Sequence, residues 1–256
     1  MYNYDMNAAL IPSKPIRKWM EFCLQRADQN GVDEKTKGDN YIKTPWDLCV
    51  KIVQHLIEQK GPLSDKKICV ADTVEFIPVL LHFGAKPCNI TYVAPYLDKG
   101  KIALNRLSEN TNIRGTVIKE SFITWKYSNM DFDVVIGNPP YNKGLIKNIN
   151  NEFTKNSSGY PHLAFTNKAL SLCREGGIIS FIMPASFMTL TSCDRFRTDI
   201  LSKNSINNIF LYDNRKNQIF DIEHTWICNA VFVKGAQQTS TEYVIIKDSI
   251  PSKFIV

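Results

Sequence analysis

The chain has 256 residues, of which 44% are hydrophobic and 22% charged, and its formal net charge is +6. These values are typical of a globular protein with one sizeable core, and the mild positive charge is compatible with a polyanionic partner without requiring one. No run of about 18 apolar residues occurs, so no membrane-spanning helix is predicted, and no secretory signal is recognisable. Seven cysteines without a C-x-x-C pair indicate core residues in a reducing compartment, which predicts a cytoplasmic location.

The amino-terminal segment, residues 1–40, is predicted to be a helical extension. Ser13 and Pro15 stand where a helix would start, and apolar residues follow them at helical spacing. Polar residues and glycines over 28–40 predict a loop. Thr44-Pro45 then opens a second helix, because proline is favoured in the first helical turn and the apolar residues after it again recur at helical spacing.

From residue 67 onward, short apolar runs alternate with helical segments. This alternation predicts an α/β fold with a mostly parallel sheet that helices cover on both faces. The polar segment 142–159 is predicted to be a mobile loop, and residues 236–256 are too few for a second domain. Strands are predicted at 67–71, 90–93, 116–118, 132–136, 178–183, 209–212 and 227–233, and helices at 77–83, 99–108, 160–174 and 195–201.

The tetrapeptide Asn138-Pro139-Pro140-Tyr141 follows the predicted strand at 132–136. Two consecutive prolines cannot donate ladder hydrogen bonds, so they end the strand and stiffen the chain beyond it. The turn would hold the Asn138 amide and the Pro139 carbonyl as fixed acceptors at the carboxyl edge of the sheet, where open α/β sheets bind ligands. The plainer interpretation is a proline-rich turn that only ends a strand.

Two acceptors at this position match the two N–H donors of an exocyclic amine. They would favour a pyramidal nitrogen whose lone pair can attack a methyl sulfonium, and Tyr141 would supply a flat face on which a base stacks. The sequence therefore predicts methyl transfer to a planar amine, with binding that favours the transition state rather than a covalent intermediate or a metal.

Several segments follow one another in the order of a known family. Thr44-Pro45 resembles the family's helix start beside the cofactor, residues 175–187 resemble its glycine turn, strand and P-A-S/T-aromatic segment, and Gln218-Ile219-Phe220 resembles a later aromatic segment. With the tetrapeptide included, the chain resembles the γ-class N6-adenine DNA methyltransferases, including the catalytic parts of type IIG restriction–modification enzymes, from about Tyr41 to Lys234.

This resemblance implies a Rossmann-like methyltransferase fold, with a mostly parallel seven-stranded sheet, one antiparallel strand and a catalytic domain over residues 41–235. It implies that the tetrapeptide is catalytic, that Tyr141 and Phe220 stack on the target base, and that double-stranded DNA is the substrate. Because the adenine nitrogen is hidden inside a duplex, the base must be flipped out. For Phe220, a core position is an equally good interpretation.

The resemblance also implies that S-adenosylmethionine is the cofactor. The segment after the first strand, from Asp72 to Glu75, contains no glycine, so we expect Thr73, Val74 and Glu75 to bend it with ordinary backbone angles and the cofactor to bind weakly. The second strand also lacks the acidic residue that usually ends it. The residues expected to bind the cofactor are Thr44, Asp72, Glu75, Asp98, Glu120 and Asn138.

No target recognition domain is visible, because only the short tail 236–256 follows the catalytic part. A separate specificity subunit or recognition domain is therefore an expected partner. Two alternatives stay open: a catalytically silent relative that binds DNA or a partner, favoured by the glycine-free turn, and a methyltransferase for an RNA base or a protein glutamine.

Overall fold

The computed structural model describes residues 44–95, 115–214, 220, 226–247 and 250–255. The predictions for the amino-terminal extension 1–40, for the helix at 99–108 and for Asp98 lie outside these residues. Helix α1 (Trp46–Lys60) begins directly after Thr44-Pro45, as predicted, and ends at Gly61, whose φ of 73° is readily adopted only by glycine. One side of α1 is buried and contains most of its apolar residues.

Nine strands and three further helices follow α1 in the described part of the chain. Short 3₁₀ turns lie at Pro87–Asn89, Lys143–Ile146, Ala185–Met188 and Thr191–Cys193. The elements are β1 (Ile68–Ala71), α2 (Phe76–His82), β2 (Ile90–Val93), β3 (Thr116–Ile118), β4 (Phe132–Gly137), α3 (Pro161–Leu172), β5 (Cys173–Pro184), α4 (Asp194–Leu201), β6 (Asn204–Asp213), β7 (Trp226–Lys234), β8 (Glu242–Lys247) and β9 (Ile250–Ile255).

The strands form one sheet in the order β3-β2-β1-β4-β5-β7-β6-β8-β9. Pairings from β3 through to β5 are parallel, whereas β7 runs antiparallel to both of its neighbours, β5 and β6. The predicted α/β fold with an antiparallel strand near its end is confirmed. The sheet has nine strands rather than the predicted seven, because β8 pairs with β6 and β9 pairs with β8.

The core lies on both faces of the sheet. All six residues of β4 are buried, and their side chains alternate: Val134 and Ile136 pack with residues of α1 and α2, whereas Val135 packs with residues of α3. Burial on both sides explains why the run from which this strand was predicted is apolar at every position but Asp133. No helix in the described part of the chain is long and apolar enough to cross a bilayer.

Two local predictions need correction. Helix α3 ends at Leu172, earlier than the predicted Arg174, because Cys173 already pairs with Phe132 of β4. Gly176 has a φ of 70° and lies within the irregular first part of β5. The predicted loop 142–159 contains the short turn Lys143–Ile146.

Candidate active site

The candidate site lies where β1 and β4 end side by side. Strand order reverses between these two strands, because β2 and β3 lie on one side of β1 whereas β5 lies on the other side of β4. Such a switch point opens a ligand crevice at the carboxyl edge of the sheet. Ala71 and Gly137 are register partners at this edge. A Cβ atom on Gly137 would lie 2.3 Å from the Ala71 carbonyl oxygen, so glycine is required for this close approach.

The turn after β1 bends at Asp72, which has a φ of 57° although it is not glycine. Its backbone N–H donates to the Val93 carbonyl oxygen of the neighbouring strand β2, at 3.0 Å. Aspartate tolerates the left-handed region better than most residues. Thr73, Val74 and Glu75 keep the predicted ordinary φ values, so Asp72 alone supplies the bend for which no glycine is present.

Three hydrogen bonds fix Asn138, the first residue of the tetrapeptide. Its backbone N–H donates to Thr73 Oγ1 at 2.6 Å, and its side-chain Nδ2 donates to Thr44 Oγ1 at 3.1 Å. Its Oδ1 accepts from the Tyr141 hydroxyl at 2.6 Å. Because Asn138, Thr44 and Thr73 are all buried, water competes little for these bonds, and the orientation of the amide is set before any ligand arrives.

The Tyr141 ring is buried beside the amide that it contacts. Only 8% of the side chain is exposed, and the ring meets His162 of α3 edge to face, with centroids 6.1 Å apart. Burial raises the pKa of Tyr141 well above its ordinary value, so the hydroxyl keeps its proton and donates to Asn138 Oδ1. The second lone pair of Oδ1 can accept from another donor.

The carboxyl group of Asp72 is a second feature of this edge. Its Oδ1 is buried and has no hydrogen-bond partner among the described residues. Burial raises the pKa of Asp72 from 3.8 to about 7. A buried acceptor without a partner is suited to a donor from a bound ligand, an ammonium group above all.

Glu75 is buried next to this turn, with 1% of its surface exposed. Desolvation and then the charge of Glu75 raise the pKa of the Cys49 thiol in α1. Glu120, which follows β3, is exposed on the surface, and nothing in the described structure brings it to Asn138.

Phe220 is buried, with 4% exposure, and belongs to the same apolar cluster as Tyr141 and Tyr212. Asn214 fixes its backbone twice: the Phe220 N–H donates to Asn214 Oδ1 at 2.8 Å, and Asn214 Nδ2 donates to the Phe220 carbonyl at 3.0 Å. Sequence reasoning did not find the roles of Thr73 and Asn214. Nothing in the sequence distinguishes Thr73 and Asn214, because their contacts with Asn138 and Phe220 form only when the chain folds.

Comparisons with known proteins show the family of the chain. Residues 52–220 match the model of the family described as Eco57I restriction-modification methylase. A search of curated proteins gives no match.

The solved structures with similar folds include three proteins of restriction–modification systems. The type IIG restriction endonuclease BpuSI has a TM-score of 0.63 and 18% identity, covering 90% of this chain and 29% of that one. The M protein of the type I enzyme EcoKI has a TM-score of 0.63 and 15% identity, covering 88% and 51%. The methyltransferase subunit of a type I system from Streptococcus thermophilus has a TM-score of 0.57 and 14% identity, covering 83% and 48%. The chain thus spans about half or less of each of these three proteins.

Proposed function

The chain belongs to the Eco57I restriction-modification methylase family, and we propose that it methylates the exocyclic N6 of adenine in DNA. The observation that carries the proposal is the position of Asn138-Pro139-Pro140-Tyr141 at the end of β4. Hydrogen bonds there fix the Asn138 backbone N–H and both ends of its side-chain amide. This is an acceptor held in place at the ligand-binding edge of the sheet.

Asn138 Oδ1 and the Pro139 carbonyl are the proposed acceptors for the two N–H groups of the amine. An acceptor that is already oriented stabilises the positive charge that develops on nitrogen without reorganising, so it binds the transition state better than the neutral amine. Tyr141 fixes Oδ1 from one side, and Thr44 and Thr73 fix the remainder of the residue. Transfer is direct, and no side chain forms a covalent bond with the methyl group.

The cofactor predicted from the resemblance, S-adenosylmethionine, is confirmed by the family match. The described residues fit it in two respects: Asp72 offers a buried carboxyl oxygen without a partner, and Gly137 lets the ends of β1 and β4 approach closely. When bound, S-adenosylmethionine supplies a methyl group on a positively charged sulfur. Asp72 and Glu75 would hold it, whereas Thr44 is a positioning residue that acts through Asn138.

DNA is the proposed substrate, and the target adenine is flipped out of the duplex to reach Asn138. Tyr141 and Phe220 are proposed to flank the flipped base. Because both rings are largely covered, a base that stacks on either must displace neighbouring side chains. We further propose that a separate specificity subunit or recognition domain reads the DNA sequence.

The test is the substitution Asn138→Ala, assayed by transfer of a radioactive methyl group from S-adenosylmethionine to DNA of mixed sequence. Loss of a preorganised hydrogen-bonding group should lower the rate about a hundredfold or more, with little change in cofactor affinity. Asn142→Ala is the matched control, since Asn142 is exposed just beyond the tetrapeptide and its side chain accepts only from the Gly144 N–H. A rate for Asn138→Ala equal to that of this control would remove the tetrapeptide from the mechanism.

A further inference from the structure

A cavity of about 730 Å³ lies away from the tetrapeptide, between three segments of the chain. One wall is the segment 123–128, which lies between β3 and β4, and the second is the segment 148–153. Lys168 of α3 completes the lining. This volume is typical of small-molecule sites. None of the residues assigned to methyl transfer lines the cavity.

Hydrogen bonds between the three segments fix the shape of this cavity. The Asn151 amide donates to the Ile123 carbonyl oxygen at 3.2 Å, and the Asn167 amide donates to the Phe153 carbonyl oxygen at 3.0 Å. Two contacts fix Tyr127 in the first wall. Its hydroxyl donates to Asp131 Oδ1 at 2.9 Å, and its ring packs at a tilt against Trp125, with centroids 4.8 Å apart. The walls are therefore joined to each other and to α3, so the cavity is a preformed feature.

Lys168 is the feature that points to a ligand. Only 5% of the residue is exposed, and its ammonium lies 4.5 Å from the centre of the Phe153 ring. Among the described residues no carboxylate forms an ion pair with it, although Glu152 stands on the rim. Burial lowers the pKa of Lys168, and the charge of Glu152 offsets this in part. The ammonium is thus partly desolvated and borders the cavity without an ion-pair partner, an arrangement that favours a bound anion.

The remaining lining indicates the size and kind of anion. Thr124, Ser128, Asn148 and Asn150 bring hydroxyl and amide groups to the exposed rim, and Tyr127 and Phe153 bring aromatic surface to the walls. A nucleoside monophosphate carries the matching set of groups, namely a phosphate, sugar hydroxyls and a flat ring. We propose that this cavity binds the phosphate of a nucleotide against Lys168, independently of the methyl-transfer site.

Calorimetric titration of the full chain with adenosine monophosphate tests the proposal. We expect saturable binding in the millimolar range or tighter, and at least about tenfold weaker binding for Lys168→Met, because a hydrogen bond to a charged group is lost. Lys155→Met is the matched control, since Lys155 is exposed in the same loop but does not line the cavity, and it should bind as the unchanged chain does. Should Lys168→Met fail to fold, Asn150→Asp adds a negative charge at an exposed rim position and should also weaken binding several-fold.

Two further titrations locate the bound nucleotide and identify the source of its phosphate. Saturating S-adenosylhomocysteine should leave adenosine monophosphate binding unchanged; if it abolishes binding, the nucleotide occupies the cofactor crevice and the proposal fails. If a short single-stranded oligonucleotide competes with adenosine monophosphate, the cavity binds a phosphate of nucleic acid. If it does not compete, the cavity binds a free nucleotide. No binding at 10 mM, or equal binding by Lys168→Met and Lys155→Met, would also overturn the proposal.

Discussion

Asp72 combines a left-handed backbone with a buried carboxyl oxygen, and each of these features costs free energy in the folded chain. Residues with a strained backbone or a buried, unpaired polar atom are typical of ligand-binding sites, where binding offsets the loss of stability. The position of Asp72 beside the ends of β1 and β4 fits that interpretation. Its carboxyl group also makes the stability of the chain depend on pH.

The pKa of Asp72 is raised in the folded chain from 3.8 to about 7, so the unfolded chain loses this proton at a lower pH than the folded chain does. The stability that the protonated group contributes is fully present below about pH 4 and is lost as the pH rises through 7. Asp72→Asn removes this titration while keeping a side chain that tolerates positive φ. We expect the variant to gain on the order of 1–4 kcal/mol relative to the original chain between pH 4 and 8.

Urea unfolding at several pH values measures this difference. Glu120→Gln serves as the control, because it changes an exposed carboxyl group near the same edge of the sheet. A gain for Asp72→Asn that is the same at pH 5 and pH 8 would show that the carboxyl group of Asp72 is not buried as described.

Phe220 can stabilise the core, flank a base, or do both, and two substitutions separate these roles. Phe220→Ala leaves a cavity beside Tyr212 and Tyr141 and should lower the free energy of unfolding by about 3–5 kcal/mol. Phe220→Leu keeps most of the apolar volume and should cost less than about 1.5 kcal/mol, but it removes the flat ring. If Phe220 stacks on the flipped adenine, the leucine variant should weaken base capture by roughly 1–3 kcal/mol.

Fluorescence of 2-aminopurine at the target position reports base capture, and denaturant unfolding reports stability. An unchanged fluorescence signal with Phe220→Leu would assign Phe220 to the core alone. The sequence left these two interpretations of Phe220 equal. The reason is physical: an aromatic residue in a segment between two strands has the same sequence signature in a core and in a stacking site until its neighbours are known.

At the scale of single elements, the predictions succeeded where a strand is buried on both faces. The ends of β1, β2 and β4 lie within one residue of their predicted positions, because a short and mainly apolar run matches a strand that is covered on both faces of a parallel sheet. The tetrapeptide was found for the same reason, since two prolines after such a run can only lie at its end. Helix α4 begins at Asp194, one residue before its predicted start.

Predictions failed where pairing depends on partners that are distant in the sequence. Strand β6 extends from Asn204 to Asp213, well beyond the predicted 209–212, because its polar first residues pair with β7. Strands β8 and β9 were missed, and their segment was interpreted as a short tail. Glu242 and Lys253 interrupt the apolar pattern, but in the folded chain they form an ion pair across these two strands, at 3.2 Å.

At the scale of the whole molecule, all nine strands of the described residues form one sheet, and the last two strands are joined to it by more than backbone pairing. Thr241 Oγ1 donates to the Ile206 carbonyl oxygen at 2.7 Å, and the Asn208 amide donates to Glu242 at 2.6 Å. Gln59 of α1 donates to Asn208 Oδ1 at 2.7 Å, so a chain of polar contacts runs from α1 through β6 to β8. Val244 is buried, and Tyr243 packs against the core that the preceding strands share.

These contacts make β8 and β9 part of the sheet, and ending the chain at Gly235 tests that conclusion. The shortened chain exposes the edge of β6 and leaves Asn208 without its contact to Glu242, so we expect a loss of about 2 kcal/mol or more. For a chain of this size, this corresponds to a melting temperature lower by about 4 °C or more, with a tendency to associate through the open edge. Circular dichroism melting and size-exclusion chromatography measure both effects.

Lys253→Ala is the control, since it removes only an exposed ion pair and should change stability by less than about 0.5 kcal/mol. If the shortened chain melts like this control and does not associate, residues 236–256 are a tail outside the catalytic domain, and the interpretation from sequence was the better one.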